Sequence, residues 1–171
     1  MDGRRPLSGA RRVVLCGLMA ATLTVLKMAL SLLPNIEPVS LLIMVYALVF
    51  GRQVFYIIVP FVVVEGLLYG FGPLWWPGYV YIWPLWGWIC TRLPADRPAV
   101  LAVAGGIFGL SFGALFAPLY WISGGPWAAL SWWISGIPAD LLHCGGNFVL
   151  ALVLAGPLYQ VLCKLRDRAF R

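Results

Sequence analysis

The feature that most constrains the fold is a series of long apolar runs separated by short breaks rich in glycine and proline. Of the 171 residues, 62% are hydrophobic and only 11% are charged, whereas a soluble domain carries about 25% charged residues. A water-soluble fold of this size cannot hide so much apolar surface. Because lipid offers no hydrogen-bond partners, apolar runs of helix length are expected to span it as helices. The sequence therefore predicts an all-α membrane protein with a single integral membrane domain over residues 1–171.

The breaks divide the chain into six helices. Their predicted ranges are 13–33, 39–50, 54–71, 75–91, 99–122 and 138–162. The first is roughly 31 Å long and matches one bilayer core, but the second is only roughly 18 Å long. Either the loop before the second helix dips into the protein, or that helix begins below the outer surface. The chain breaks again at 123–126, and Gly136 with Pro138 is predicted to separate a tryptophan-rich interfacial or lid helix at 127–134 from the last helix.

The positive charges predict the orientation of these helices. The net charge of +6 does not indicate nucleic acid, because the cations cluster at the ends of apolar runs and not on one soluble face. With the N-terminus inside, 11 of the 12 lysines and arginines fall on the inner side, and the twelfth, Lys27, lies within the first helix. This asymmetry predicts six transmembrane helices with N- and C-termini cytoplasmic. The expected location of this multi-pass protein is the plasma membrane.

Polar residues collect on one face near the start of the last helix. They are Asp140, His143 and Asn147, which are spaced three and four residues apart, and His143 is the only histidine of the chain. A helix therefore places them on the same side. A polar face inside an apolar helix is costly and needs a reason. We interpret this face as one wall of a small-molecule pocket.

Other polar residues fall at a similar depth in the outer half of the membrane. Lys27 lies high in the first helix, Glu65 lies at or just above the middle of the third, and Asn35 and Glu37 lie just before the second. An ion pair between Lys27 and either Glu65 or Asp140 is expected, since buried charges face one another or a cavity. Such a pair could simply fix helix packing. So many polar groups at one level favour a pocket open to the outside.

Several tryptophans accompany these residues at the predicted outer ends: Trp75, Trp76, Trp127, Trp132 and Trp133. They form either an ordinary interfacial belt or, in part, the cap of a flat ligand. The four cysteines have no C-x-x-C spacing and are expected to be free. One histidine without a pair of carboxylates at ligand spacing does not make a metal site.

A stripe of small residues repeats every four positions along the fifth helix: Gly105, Gly109, Gly113 and Ala117. This spacing lets another helix approach closely, and it indicates packing rather than chemistry.

Three stretches resemble the membrane-embedded, substrate-binding S component of energy-coupling factor (ECF) transporters, which import vitamins and related micronutrients into prokaryotes. They are LPNIEPVSLLIMVYALVFG at 33–51, EGLLYGFG at 65–72 and WISGIPADLLHCGGN at 133–147. The resemblance implies a six-helix binding subunit, not an enzyme, with an outward pocket capped by loops 1, 3 and 5. The predicted substrate-binding residues are Lys27, Asn35, Glu37, Glu65, Tyr69, Trp76, Asp140, His143 and Asn147.

The resemblance also implies partners: a transmembrane coupling subunit and two cytoplasmic ATPase subunits. The chain lacks a G-x-x-x-x-G-K-[ST] sequence, so the partners would use the ATP and no cofactor is expected in this chain. In that family an alanine-x-x-x-alanine pattern on helix 1 contacts the coupling subunit. Here the strict pattern is absent, and its closest substitutes are Gly17 with Ala21 and Ala20 with Thr24.

Two other functions compete with this interpretation. In a rhomboid-like intramembrane serine protease, Ser111 and His143 on neighbouring helices would form a catalytic dyad. The glycine-serine spacing around Ser111 differs from the rhomboid G-x-S-G pattern. Ser111 is also expected to lie on the small-residue stripe, where a small side chain is needed for packing. The other alternative is a membrane scaffold that does not transport.

Overall fold

The computed structural model describes residues 9–30 and 38–169, and this part of the chain is helical throughout apart from short connections. The elements are α1 Gly9–Ala29, α2 Pro38–Phe50, a 3₁₀ turn at Gly51–Val54, α3 Phe55–Tyr69, α4 Trp75–Cys90 and α5 Pro98–Ala169. The predicted all-α class is therefore confirmed for the described residues. Three stretches among them are long and apolar enough to cross a membrane: Gly9–Ala29, Pro38–Tyr69 and Pro98–Arg168.

The short α2 lies at the centre of the bundle. Every residue from Val39 to Phe50 is buried, and α2 packs against α1, α4 and α5. Its sequence has hydrophobic residues on all sides, which is typical of a helix surrounded by other helices. Most of the core is therefore arranged around α2.

The long α5 bends back on itself at Gly125, which divides it into a first arm, 98–124, and a second arm, 126–169. Gly125 has a φ of 79° and a ψ of −176°, a conformation that essentially only glycine adopts. Pro126 follows as the first residue of the second arm, where its fixed φ suits a helix start. The predicted break at 123–126 is thus confirmed.

The two arms of α5 run antiparallel and stay in contact almost to the bend. Gly109 lies against the backbone of His143, and farther up the Tyr120 and Trp132 rings stack with centroids 4.0 Å apart. The small-residue stripe is therefore the surface on which the second arm packs, as its spacing predicted.

The prediction of a second break was wrong. The helix continues through Gly136 and Pro138, and residues 127–134 belong to the second arm and do not form a separate lid. Proline removes one hydrogen bond of the helix ladder, and in apolar helices neighbouring packing can compensate for this loss. Here Trp132 is held by its stacking on Tyr120.

The first helix begins and ends earlier than its predicted range of 13–33. It starts at Gly9 and ends at Ala29, and the last predicted residues, 31–33, lie outside the described part of the chain. Arg11 and Arg12 are good helix formers, so the helix extends beyond the apolar run.

Several cationic side chains lie at one end of the bundle. The Arg12 guanidinium is 4.9 Å from the centre of the Tyr56 ring, near the starts of α1 and α3. Arg166, near the end of α5, donates to the Val49 carbonyl near the end of α2, at 3.1 Å. Lys27 and Glu65 lie near the other ends of α1 and α3, so the bundle has one cationic end and one end with a mixed polar cluster.

Candidate functional site

An ion pair between Lys27 and Glu65 lies close to the end of the bundle away from the arginines. The Lys27 ammonium donates to Glu65 Oε2. The Glu65 side chain is completely buried, while that of Lys27 is 17% exposed. Of the two partners predicted for Lys27, Glu65 is therefore confirmed. The helices α1 and α3 pack in parallel, with Arg12 and Tyr56 in contact near their starts, and this places Lys27 and Glu65 at the same height.

Two tyrosine rings surround the same ammonium group. Lys27 Nζ lies 5.2 Å from the centre of the Tyr69 ring and 5.0 Å from that of Tyr79, within the distance at which a cation is attracted to an aromatic face. Tyr69 was among the predicted residues, but Tyr79 was missed. Its sequence signal is the four-residue spacing of Trp75, Tyr79 and Trp83 along α4, which predicts a single aromatic face.

Glu65, Tyr69 and Tyr79 thus form a cage around the Lys27 ammonium. Aromatic contacts continue from this cage into the centre of the bundle. Tyr79 contacts Trp83 at 5.5 Å between ring centroids, and Trp83 contacts Phe112 at 5.7 Å. Phe112 in turn contacts the His143 ring at 5.0 Å, nearly edge to face. A chain of rings therefore joins the Lys27 cage to the polar face of the second arm, and neither Trp83 nor Phe112 was predicted as part of the site.

The polar face of the second arm points into the protein. Asp140, His143 and Asn147 are 6%, 4% and 2% exposed. The Asp140 carboxylate accepts hydrogen bonds from the Gly113 amide, with N–O distances of 3.0 and 3.2 Å. Asp140 thus joins the two arms of α5, while Lys27 pairs elsewhere.

Several buried polar atoms near this face have no hydrogen-bond partner in the protein. They are Nε2 of His143, both polar side-chain atoms of Asn147, and the indole nitrogen of Trp83. Leaving one such buried group unsatisfied costs about 1–3 kcal/mol. Buried polar groups are rarely left unpaired in native structures, and a polar ligand beside these atoms would satisfy them.

Trp76 lies apart from the other predicted residues. Its indole donates to the Val62 carbonyl at 3.0 Å, and its ring lines an apolar groove between α3 and α4. Its neighbour Trp75 contacts Tyr79, at 5.3 Å between centroids, and so borders the cage instead. Successive helix residues are about 100° apart, and the sequence alone did not indicate which tryptophan turns inward.

The predicted Asn35 and Glu37 lie outside the described residues.

The two small-residue pairs on α1 occupy different environments. Ala20 and Thr24 are buried inside the bundle. Gly17 and Ala21 are exposed, and a Cβ added to Gly17 would meet no atom within 4 Å. Only Gly17 and Ala21 therefore lie on a surface that another helix could reach.

Ser111 faces a different side of the first arm from the one that packs on His143. Its hydroxyl donates to the Ile107 carbonyl at 2.7 Å, and the residue lines an apolar groove of about 340 Å³ between α4 and the first arm. It follows Gly109 by two positions, about 200° around the helix. This placement does not bring the two residues of the protease alternative together.

All four cysteines are free, as their spacing predicted. Within residues 9–30 and 38–168, no group of three or more histidine, cysteine or acidic side chains is placed to hold a metal ion.

Comparison with known proteins adds no assignment: no protein-family model, curated protein or solved structure matches the chain.

Proposed function

We propose that the chain is the substrate-binding membrane subunit of an energy-coupling factor importer. It would capture a small polar micronutrient of the vitamin class, or a precursor, from outside the cell for ATP-driven uptake. The observation that carries this proposal is a buried polar layer, which consists of Lys27, Glu65, His143 and Asn147. The Lys27–Glu65 pair and the His143–Asn147 face are joined through the rings of Tyr79, Trp83 and Phe112. Glu65, His143 and Asn147 carry buried atoms without a hydrogen-bond partner in an otherwise apolar bundle.

The proposed topology has six spans in the plasma membrane, with both termini in the cytoplasm. The two arms of α5 count as separate spans, and α4, roughly 24 Å long, counts as another. The cluster of arginines at the ends of α1, α2 and α5 supports a cytoplasmic location for that end. The polar layer would then lie in the outer half, accessible to a ligand from outside.

Replacing Asn147 with leucine tests whether the layer binds a ligand. We expect the free energy of unfolding without ligand to stay the same or rise by about 1 kcal/mol, because an apolar group of similar size removes two unsatisfied polar atoms. The small molecule that copurifies with the wild-type protein should be lost. The measurement is mass spectrometry of denatured protein, purified from cells grown with a full vitamin supply.

The matched control is Ser135→Ala on the exposed side of the same arm, which should retain the ligand. Wild-type preparations that carry no small molecule would count against the proposed function. An N147L variant that keeps a full complement of ligand would remove Asn147 from the site.

The partners proposed for this chain are a transmembrane coupling subunit and, through it, two cytoplasmic ATPase subunits. The exposed Gly17 and Ala21 support a close helix contact on the outer face of α1. We expect Gly17→Leu to leave stability and bound ligand unchanged, because nothing lies near that Cβ. It should reduce the amount of coupling subunit that copurifies after coexpression.

The control for this interface is Val14→Leu. Val14 is also exposed on α1, and its side chain is already bulky, so the change should not affect a close helix contact. Equal recovery of the coupling subunit with G17L and V14L would move the interface away from Gly17.

A further inference from the structure

The group that holds Lys27 has the composition of a site for organic cations. Glu65 supplies a negative charge, and Tyr69 and Tyr79 present ring faces to the ammonium at 5.2 and 5.0 Å. Proteins that recognise quaternary ammonium ligands place aromatic faces around the cation, and the carboxylate of Glu65 adds an opposite charge. In this structure the cation in the cage belongs to the protein.

The carboxylate in the cage has capacity for another donor. Glu65 Oε2 accepts from Lys27, while Oε1 is buried without any hydrogen-bond partner. A buried carboxylate oxygen without a donor is costly, and a ligand N–H or polarised C–H beside it would reduce that cost. This observation is independent of the tyrosine geometry and also indicates a ligand.

One wall of the cage is exposed. The Tyr69 side chain is 52% exposed, and Lys27 lies two residues before the end of α1. A lysine at a helix end can extend its flexible stem until the ammonium reaches water. If another monovalent cation entered as Lys27 left, the charge beside Glu65 would be conserved and no buried carboxylate would be left unpaired.

We propose that the cage of Glu65, Tyr69 and Tyr79 is the cation subsite of the ligand pocket, and that Lys27 occupies it until a ligand displaces it. The ligand class is an organic monocation, or a larger molecule with one protonated amine or quaternary nitrogen. This inference rests on the proposed function. A copurifying ligand without a cationic nitrogen would overturn the cation subsite and leave the transport proposal intact. A protein that copurifies without any ligand would count against transport, but its Lys27 could still be displaced by an added cation.

Amine labelling of the wild-type protein tests the exchange directly. The chain has only two lysines, Lys27 and Lys164, and the exposed Lys164 is an internal control. The Lys27 ammonium is tethered beside the cage by a short flexible stem and competes with choline for it at an effective concentration on the order of millimolar. We therefore expect about 50 mM choline to displace Lys27 and raise its labelling rate about tenfold. The rate at Lys164 should stay unchanged. Labelling is measured by peptide mass spectrometry at fixed pH and fixed reagent concentration.

Two additives serve as controls: 3,3-dimethylbutan-1-ol, the uncharged isostere of choline, and sodium chloride at the same ionic strength. Neither should change the labelling of Lys27. Each of three results would overturn the proposal. No effect of choline would indicate that the cage is closed to ligands. An equal effect of the alcohol would indicate an apolar perturbation, and an equal effect of sodium chloride would indicate screening of charges.

A variant that lacks the tethered cation gives a second test. Lys27→Met should bind choline about tenfold more tightly than wild type, because the competing group is gone. Choline should therefore raise its midpoint of thermal unfolding at lower concentration. The double variant K27M/E65Q should lose this response. A response of equal size in K27M and K27M/E65Q would place the choline outside the cage.

Discussion

Lys27→Met is expected to destabilise the protein by about 3 kcal/mol, because removing one partner of a buried ion pair leaves the other charge uncompensated. Glu65 is completely buried and cannot reach water. The reverse change, Glu65→Gln, is expected to cost less, since Lys27 is 17% exposed and lies near a helix end, from which its ammonium can reach solvent. The measurement is reversible unfolding in mixed micelles, followed by tryptophan fluorescence.

The double variant separates loss of the pair from loss of packing. K27M/E65Q should recover most of the stability lost in K27M, since no buried charge remains. The matched control is Asp167→Asn, which breaks the exposed ion pair with Arg166 and should change stability by less than about 1 kcal/mol. Equal losses in K27M and D167N would contradict a buried, tightly coupled pair.

Gly109→Ala is expected to cost about 2–3 kcal/mol, because overpacking a tight interface forces backbone shifts. An added Cβ would lie 2.6 Å from the His143 carbonyl oxygen and 2.8 Å from the Cys144 nitrogen. Both neighbours are backbone atoms, so the arms of α5 must separate to accommodate it. This separation would displace His143 and Asn147, and we expect the copurifying ligand to be lost as well. Unfolding and ligand content are measured on the same preparations.

The control for this variant is Gly156→Ala on the second arm, where a Cβ would meet no atom within 4 Å. Alanine is the better helix former by about 1 kcal/mol, so G156A should be neutral or stabilising. If G109A is as stable as G156A, the close contact between the arms does not hold the hairpin together.

Hydrophobicity and break residues were sufficient to predict most helices. The predicted 39–50 and 75–91 match α2 and α4 to within one residue at each end. The prediction failed where glycine and proline occur inside one apolar run. Both 123–126 and the pair Gly136 with Pro138 looked like breaks, but of the residues at these two places only Gly125 has a positive φ. Whether a proline ends a helix depends on packing around it, which a single sequence does not contain.

The Lys27–Glu65 ion pair could be predicted from the charges, whereas the aromatic residues around it were predicted only in part. An intramembrane lysine and glutamate at equal depth had to find a partner or a cavity, so Lys27 and Glu65 could be identified. The spacing of Tyr79 with Trp75 and Trp83 indicates a shared aromatic face but not the direction in which that face points. Nothing in the sequence distinguishes Phe112, because aromatic residues are abundant in this chain and only tertiary contacts identify the inward ones. The orphan atoms of Asn147 depend on three-dimensional packing alone.

The hairpin of α5 also has a consequence for how the protein enters the membrane. No charged residue lies between Arg97 and Asp140, so the bend at Gly125 can pass through hydrocarbon without the insertion cost of about 2.5–3.5 kcal/mol that a central charge carries. The arms approach each other closely at Gly109, where a Cβ would meet the backbone of His143 and Cys144. We therefore expect them to insert together, with the Asp140 carboxylate already bonded to the Gly113 amide as it leaves the aqueous phase.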